Sequence, residues 1–159
     1  MANSAGICTS FKKEILQGIH ALDTTVVRGA TTKDSLQAAL YLSSGSLAPA
    51  TKATYGGTVG SVADTSEVTG TGYTAGGIAV TNVAGQVASS GSTGYWTPSG
   101  SLVFTTVTIG PTDCCLIFNT TQGNKAVELC TFSAQSPVAA TLTLTMPTHA
   151  AGTALLNIA

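Results

Sequence analysis

Cys114-Cys115-Leu116-Ile117-Phe118-Asn119, then Thr120-Thr121-Gln122-Gly123-Asn124, then Lys125-Ala126-Val127-Glu128-Leu129-Cys130, reads as two strands joined by a hairpin loop. The flanks are apolar and rich in residues that suit a pleated sheet. Gly123 supplies the left-handed position that such a loop needs. The second strand therefore returns antiparallel to the first. Cys114 and Cys115, as neighbours in a strand, point to opposite faces. Cys130 falls near the level of one of them across the hairpin.

Working outward toward the C-terminus, Thr141-Leu142-Thr143-Leu144-Thr145-Met146 alternates strictly, with Leu142, Leu144 and Met146 inward and the threonines outward. Pro147 ends that run, and residues 155–158 read as a closing strand. Residues 101–109 carry apolar or Thr side chains on both faces, which predicts a strand buried on both sides. Working toward the N-terminus, Trp96 reads as the central core plug. Residues 85–94 read as a Gly/Ser turn, and residues 78–83 as a strand.

Before that strand comes Glu67-Val68-Thr69-Gly70-Thr71-Gly72-Tyr73-Thr74-Ala75-Gly76-Gly77. A lone Tyr among glycines has few neighbours in its own loop. Tyr73 is expected to reach into the body of the domain or into a partner, and so to pin the loop. Its spacing is not G-x-G-x-x-G, and a strand follows rather than a helix, so no dinucleotide site is read here. Residues 43–66 form a long, weakly charged connection, of a length that is usually functional or draped on a partner. Residues 35–43 alternate as a strand, and residues 23–33 read as a Thr-rich loop or extended arm.

At the start, Phe11, Ile15, Ile19 and Leu22 fall at i, i+4, i+8 and i+11, one helical face. Thr9 or Ser10 can cap it, and Gly18 weakens its interior. Its apolar stripe packs on its own domain or docks on a neighbouring subunit. No secretion signal is read in residues 1–9. The chain is thus expected to be all-β: an antiparallel β-sandwich or jelly-roll-like domain over residues 34–159. Residues 1–33 precede it as an N-terminal arm with a short amphipathic helix.

Composition narrows the function. Of 159 residues only 8% are charged, with a formal net charge of −1, against about 25% charged in ordinary soluble proteins. Mean hydropathy is +0.34, yet no apolar run approaches the ~20 residues of a spanning helix. So little charge leaves little to disperse a free monomer, which implies that copies of itself or a larger assembly cover much of its surface. Lys12, Lys13, Arg28, Lys33, Lys52 and Lys125 are scattered, so no basic stripe addresses a phosphate backbone. The acids Glu14, Asp23, Asp34, Asp64, Glu67, Asp113 and Glu128 form no telling pair, and His20 and His149 read as surface or capping residues. There is no G-x-S-x-G or H-E-x-x-H, no metal or cofactor site is read, and no enzyme is expected.

The cysteines leave alternatives open. Cys8, Cys114, Cys115 and Cys130 are buried free thiols, or Cys130 bridges to Cys114 or Cys115 within the sheet, or Cys8 bridges to another copy. Zinc is disfavoured because no C-x-x-C or Cys/His cluster exists.

Four segments together resemble a group of small virion proteins of tailed bacteriophages. They are Lys13-Glu14-Ile15-Leu16-Gln17-Gly18-Ile19-His20, Ala39-Leu40-Tyr41-Leu42-Ser43-Ser44, the Glu67–Gly77 loop, and Phe118-Asn119-Thr120-Thr121-Gln122-Gly123-Asn124-Lys125-Ala126-Val127. Their order and spacing extend over most of the chain, although residues 24–34 and the four cysteines depart from the group. The resemblance implies a non-enzymatic structural protein of the virion, assembled in the host cytoplasm. Its lead role would be capsid decoration or cement on the head exterior, with the major capsid protein and copies of itself as partners. A tail, neck or fibre-adaptor module is the alternative, followed by a carbohydrate-binding module with Tyr55, Tyr73, Tyr95 or Trp96 as a stacking platform. The expected partner contacts are Phe11, Ile15, Ile19, Leu22 and Tyr73.

Overall fold

The computed structural model describes residues 3–16, 18–22, 33–56, 66–83 and 85–159. Most of the Thr-rich segment 24–34 and the middle of the 43–66 connection lie outside the described residues. What is described is mostly strand, in antiparallel sheets, with one short helix.

The hairpin read from the sequence is the centre of the largest sheet. β8 (Thr112–Asn119) pairs with β9 (Lys125–Gln135), and Cys115 stands opposite Cys130. Gly123 sits in the turn at φ +68, joined by Asn124 at +60. On the other side of β8 lies β2 (Leu36–Leu42), and the sheet is completed by β1 (Gly6–Ile7) at one edge and β4 (Ile78–Ala79) at the other. β2 and β8 are buried along nearly their whole length, because each has a strand on both sides and cover on both faces.

A second sheet holds β10 (Ala140–Leu144), β7 (Leu102–Ile109) and β3 (Gly70–Thr71). A third holds β11 (Leu156–Ile158), β6 (Thr93–Trp96) and β5 (Val87–Ser90). Side chains of all three sheets meet in one core that includes Leu40, Leu116, Phe104, Leu142, Trp96 and Leu156. Trp96 is 2% exposed, as a core plug should be, and its indole N–H donates to Asn82 Oδ1 at 3.2 Å. β5 and β6 form a hairpin where the sequence reading placed only a turn. β7 corrects another expectation: Leu102, Phe104, Val107 and Ile109 are buried, but Val103, Thr105 and Thr106 are exposed. The register slips by one residue within β7, where Thr106 adopts φ +51. That bulge keeps the apolar residues on the core side despite their uneven spacing.

The described part of the N-terminal segment packs on the domain, with β1 in the sheet and Phe11 in the core. α1 (Thr9–Leu16) is shorter than its apolar pattern suggests. Gly18, at φ +64, donates its N–H to Ile15 O, and Ile19 N–H reaches back to Glu14 O. These paired bonds close the helix in a Schellman motif. Gly18 is therefore the stop signal rather than a weak point inside the helix, and Ile19 and Leu22 lie beyond its end. The start also differs from the expected Ser/Thr cap. Helix residues begin at Thr9, Thr9 N–H bonds Pro49 O, and Ser10 Oγ is buried without a partner.

Candidate functional site

Three polar clusters hold most of the described groups that could carry chemistry. The first is built by Glu67. Its Oε1 accepts from the Tyr73 hydroxyl at 2.9 Å and from Gly76 N–H at 2.7 Å, and its Oε2 accepts from the Tyr55 hydroxyl at 3.0 Å. The Tyr73 oxygen in turn accepts from Leu40 N–H at 3.0 Å, and its ring lies over Phe104 of β7. Burial pushes the Tyr73 phenol well above its ordinary range, and the Glu67 carboxylate adds to that. Tyr73 thus pins its loop inward onto its own domain, one of the two outcomes expected for it, and remains half-buried. Glu67→Ala leaves two hydroxyls and one amide without their acceptor, and is expected to cost about 2–3 kcal/mol in urea unfolding. Glu67→Gln retains an acceptor oxygen and is expected to cost less. Equal losses in the two variants would refute this role.

The second cluster fixes the end of α1 to the central hairpin. Asn119, fully buried, donates from Nδ2 to His20 Nδ1 at 2.9 Å and to Asp34 Oδ2 at 2.7 Å. Gln122 N–H, bonded to Asn119 Oδ1, sets the orientation of that amide. His20 Nδ1 is therefore the acceptor, and Nε2–H donates to Glu14 Oε2 at 2.9 Å. Lys125 Nζ bonds Glu14 Oε1 at 2.8 Å. The His20 side chain is 1% exposed, which corrects its reading as a surface or capping residue. With both ring nitrogens engaged and the side chain buried, this Glu–His–Asn chain ties α1 to the central hairpin. His149 lies elsewhere, bonded through Nε2 to Gln86 O.

The third cluster contains the cysteines. All four are free thiols, one of the alternatives read from the sequence, and no bridge joins Cys130 to Cys114 or Cys115. Cys8 is 0% exposed, and a thiol so enclosed cannot meet one on another copy. Burial pushes the Cys8 and Cys114 thiols up to about 12, and raises those of Cys115 and Cys130 as well. Such thiols stay protonated and unreactive. Cys115 and Cys130 line a cavity of about 370 Å³ between β9 and β10, walled also by Leu102, Phe132, Leu144 and Met146. Glu128 contributes to the same wall. It is 6% exposed and its Oε2 has no partner. Burial lifts its carboxyl to about 8, against a smaller opposing pull from Lys12.

The remaining expected contacts fare as follows. Phe11 is fully buried and packs on the His20 ring at 4.6 Å, so it cannot touch a partner. Ile15 and Leu22 are half-buried against the same core, and Ile19 is half-buried beyond the helix end. The four aromatic residues proposed as a glycan platform do not form one. Trp96 is buried, Tyr55 stacks on Phe118 at 4.3 Å, Tyr73 turns inward and Tyr95 packs on His149. Among the described residues no His, Cys, Asp and Glu group has the arrangement of a metal site, and no helix is long and apolar enough to cross a membrane. The sequence carried Glu67 inside its most glycine-rich loop, but nothing local marked it as a hub. Glu128 carried no signal beyond being an acid in an apolar strand. No protein-family model, curated protein or solved structure matches this chain.

Proposed function

We propose that this protein is a non-enzymatic building block of a tailed-bacteriophage particle, a decoration or cement protein bound in many copies to the head exterior. On this reading its three antiparallel sheets stack as a sandwich. One observation carries the reading. From Leu129 to the last residue there is no Asp, Glu, Lys or Arg, and that stretch includes β10 and β11, each an edge strand of its sheet. Exposed strand edges are ordinarily guarded by charge. Edges left bare in a chain whose Glu14, Asp34, Glu67 and His20 are tied inward suit a surface that works by adhesion. The resemblance to small virion proteins supports placing that surface on a phage particle.

The test is to purify particles, quantify this chain by mass spectrometry and image a tagged copy by electron microscopy. The expected result is a copy number comparable to that of the major capsid subunit, with density on the head. A dozen copies or fewer, located at neck, baseplate or fibre, would move the protein to the adaptor role. Its absence from particles would overturn the proposal.

A further inference from the structure

The geometry points to the free edge of β10 as a seam between two copies of this chain, paired antiparallel about a twofold axis at Thr143. This rests on the building-block reading and names the surface that would do the work.

Among the described residues β10 ends its sheet, with β7 on one side only. Of the strands at sheet edges, β1, β3 and β4 have two residues each, β11 has three, β5 has four and β10 has five. Short edges offer few free N–H and C=O groups, so they tempt partners least. β10 is the longest, and no Lys, Glu or bulged residue of its own interrupts Ala140-Thr141-Leu142-Thr143-Leu144-Thr145-Met146. Pro137 and Pro147 bound the run on either side without entering it.

The occupant follows from the sequence of the edge. Residues directly opposite in an antiparallel pair share a face of the sheet. A twofold axis at Thr143 sets Thr143 against its copy, Leu142 against Leu144, and Thr141 against Thr145. Every pair matches in side-chain character, so the edge is complementary to itself, as an isologous interface requires. On the axis a residue meets its own copy, so the uncharged Thr143 lets the edge face itself without repulsion. The exposures agree. Thr141, Thr143 and Thr145 are exposed, Leu142 is buried, and Leu144 and Met146 are half-buried. Leu144 and Met146 border the cavity between β10 and β9. A second β10 laid along the first covers that mouth and adds apolar burial to the backbone pairing. Two three-stranded sheets become one of six strands.

Sedimentation velocity on the full chain over a wide concentration range tests this. The wild type is expected to reach a dimer. Thr143→Lys places like charges face to face at the axis and is expected to weaken the dimer by roughly tenfold or more. Thr143→Glu is expected to do the same. Mixing the two variants in equal amounts restores the dimer, because Lys then meets Glu. Thr143 is exposed in the single chain, so the far-UV circular dichroism of each variant matches that of the wild type. A wild type that is monomeric at every concentration overturns the seam, as does a dimer indifferent to both variants or unrestored by their mixture. Particle occupancy is measured separately. A monomer that still binds particles refutes the seam alone, with β10 then open to another virion protein. A dimer that never appears on particles refutes the particle reading alone.

Discussion

Gly77→Ala is expected to leave the protein unfolded, or destabilised by about 4 kcal/mol or more. A Cβ on Gly77 would lie 1.8 Å from Ala38 O and 2.7 Å from Ala38 C. Both are backbone atoms of β2, a strand held by β8 on one side and β4 on the other. Nothing flexible is available to move aside, and the clash can be relieved only by breaking the pairing of β4 with β2. The φ of +72 adds a conformational cost for any residue with a Cβ. Gly91→Ala is the matched control: its φ is +58, but nothing lies within 4 Å of the added carbon. It is expected to cost only about 1 kcal/mol, the conformational term alone. Far-UV circular dichroism and urea unfolding separate the two. A Gly77→Ala protein as stable as the Gly91→Ala control would disprove the close approach of this loop to β2.

Glu128→Gln is expected to stabilise the protein at pH 8 and to flatten its pH profile. The folded carboxyl titrates at about 8, compared with an ordinary 4.5. Between these values the folded state holds a proton that the unfolded chain has lost. Stability contributed by this group is therefore complete below about pH 4.5 and is lost as pH rises through 8. The wild type is expected to lose about 2–4 kcal/mol across that window, somewhat less than the full shift implies because water relaxes around a partly accessible group. Glutamine keeps the shape of the side chain and carries no charge to desolvate, so the slope between pH 5 and 8 should largely vanish. The raised thiols and the Tyr73 phenol titrate above this range and do not contribute to it. A wild-type stability that is flat or rising from pH 5 to 8, or an equal slope in the variant, would contradict the assignment.

Both predictions concern groups whose neighbours come from distant parts of the chain, and this marks what the sequence alone could give. The central hairpin, its left-handed Gly123, the alternation of Thr141 to Met146 and the burial of Trp96 were all legible, because each depends on residues close in sequence. Gly18 was visible but misread. A glycine two residues beyond a helix and a glycine inside one look alike until the apolar stripe is seen to turn away. The bulge at Thr106 was not legible, since the local pattern fits a strand buried on both faces equally well.

By itself, then, the sequence determined that the chain makes antiparallel strands around an apolar core, and that its last thirty-odd residues are without charge. Periodicity and composition are local quantities and survive without a fold. Only the tertiary structure decided that Phe11 and Tyr73 turn inward, that Glu67 gathers two tyrosines and that Asn119 joins distant segments, that the cysteines stay unpaired, and that β10 lies at an edge. Those outcomes depend on which strands become neighbours, and that is settled by burying all the apolar faces at once.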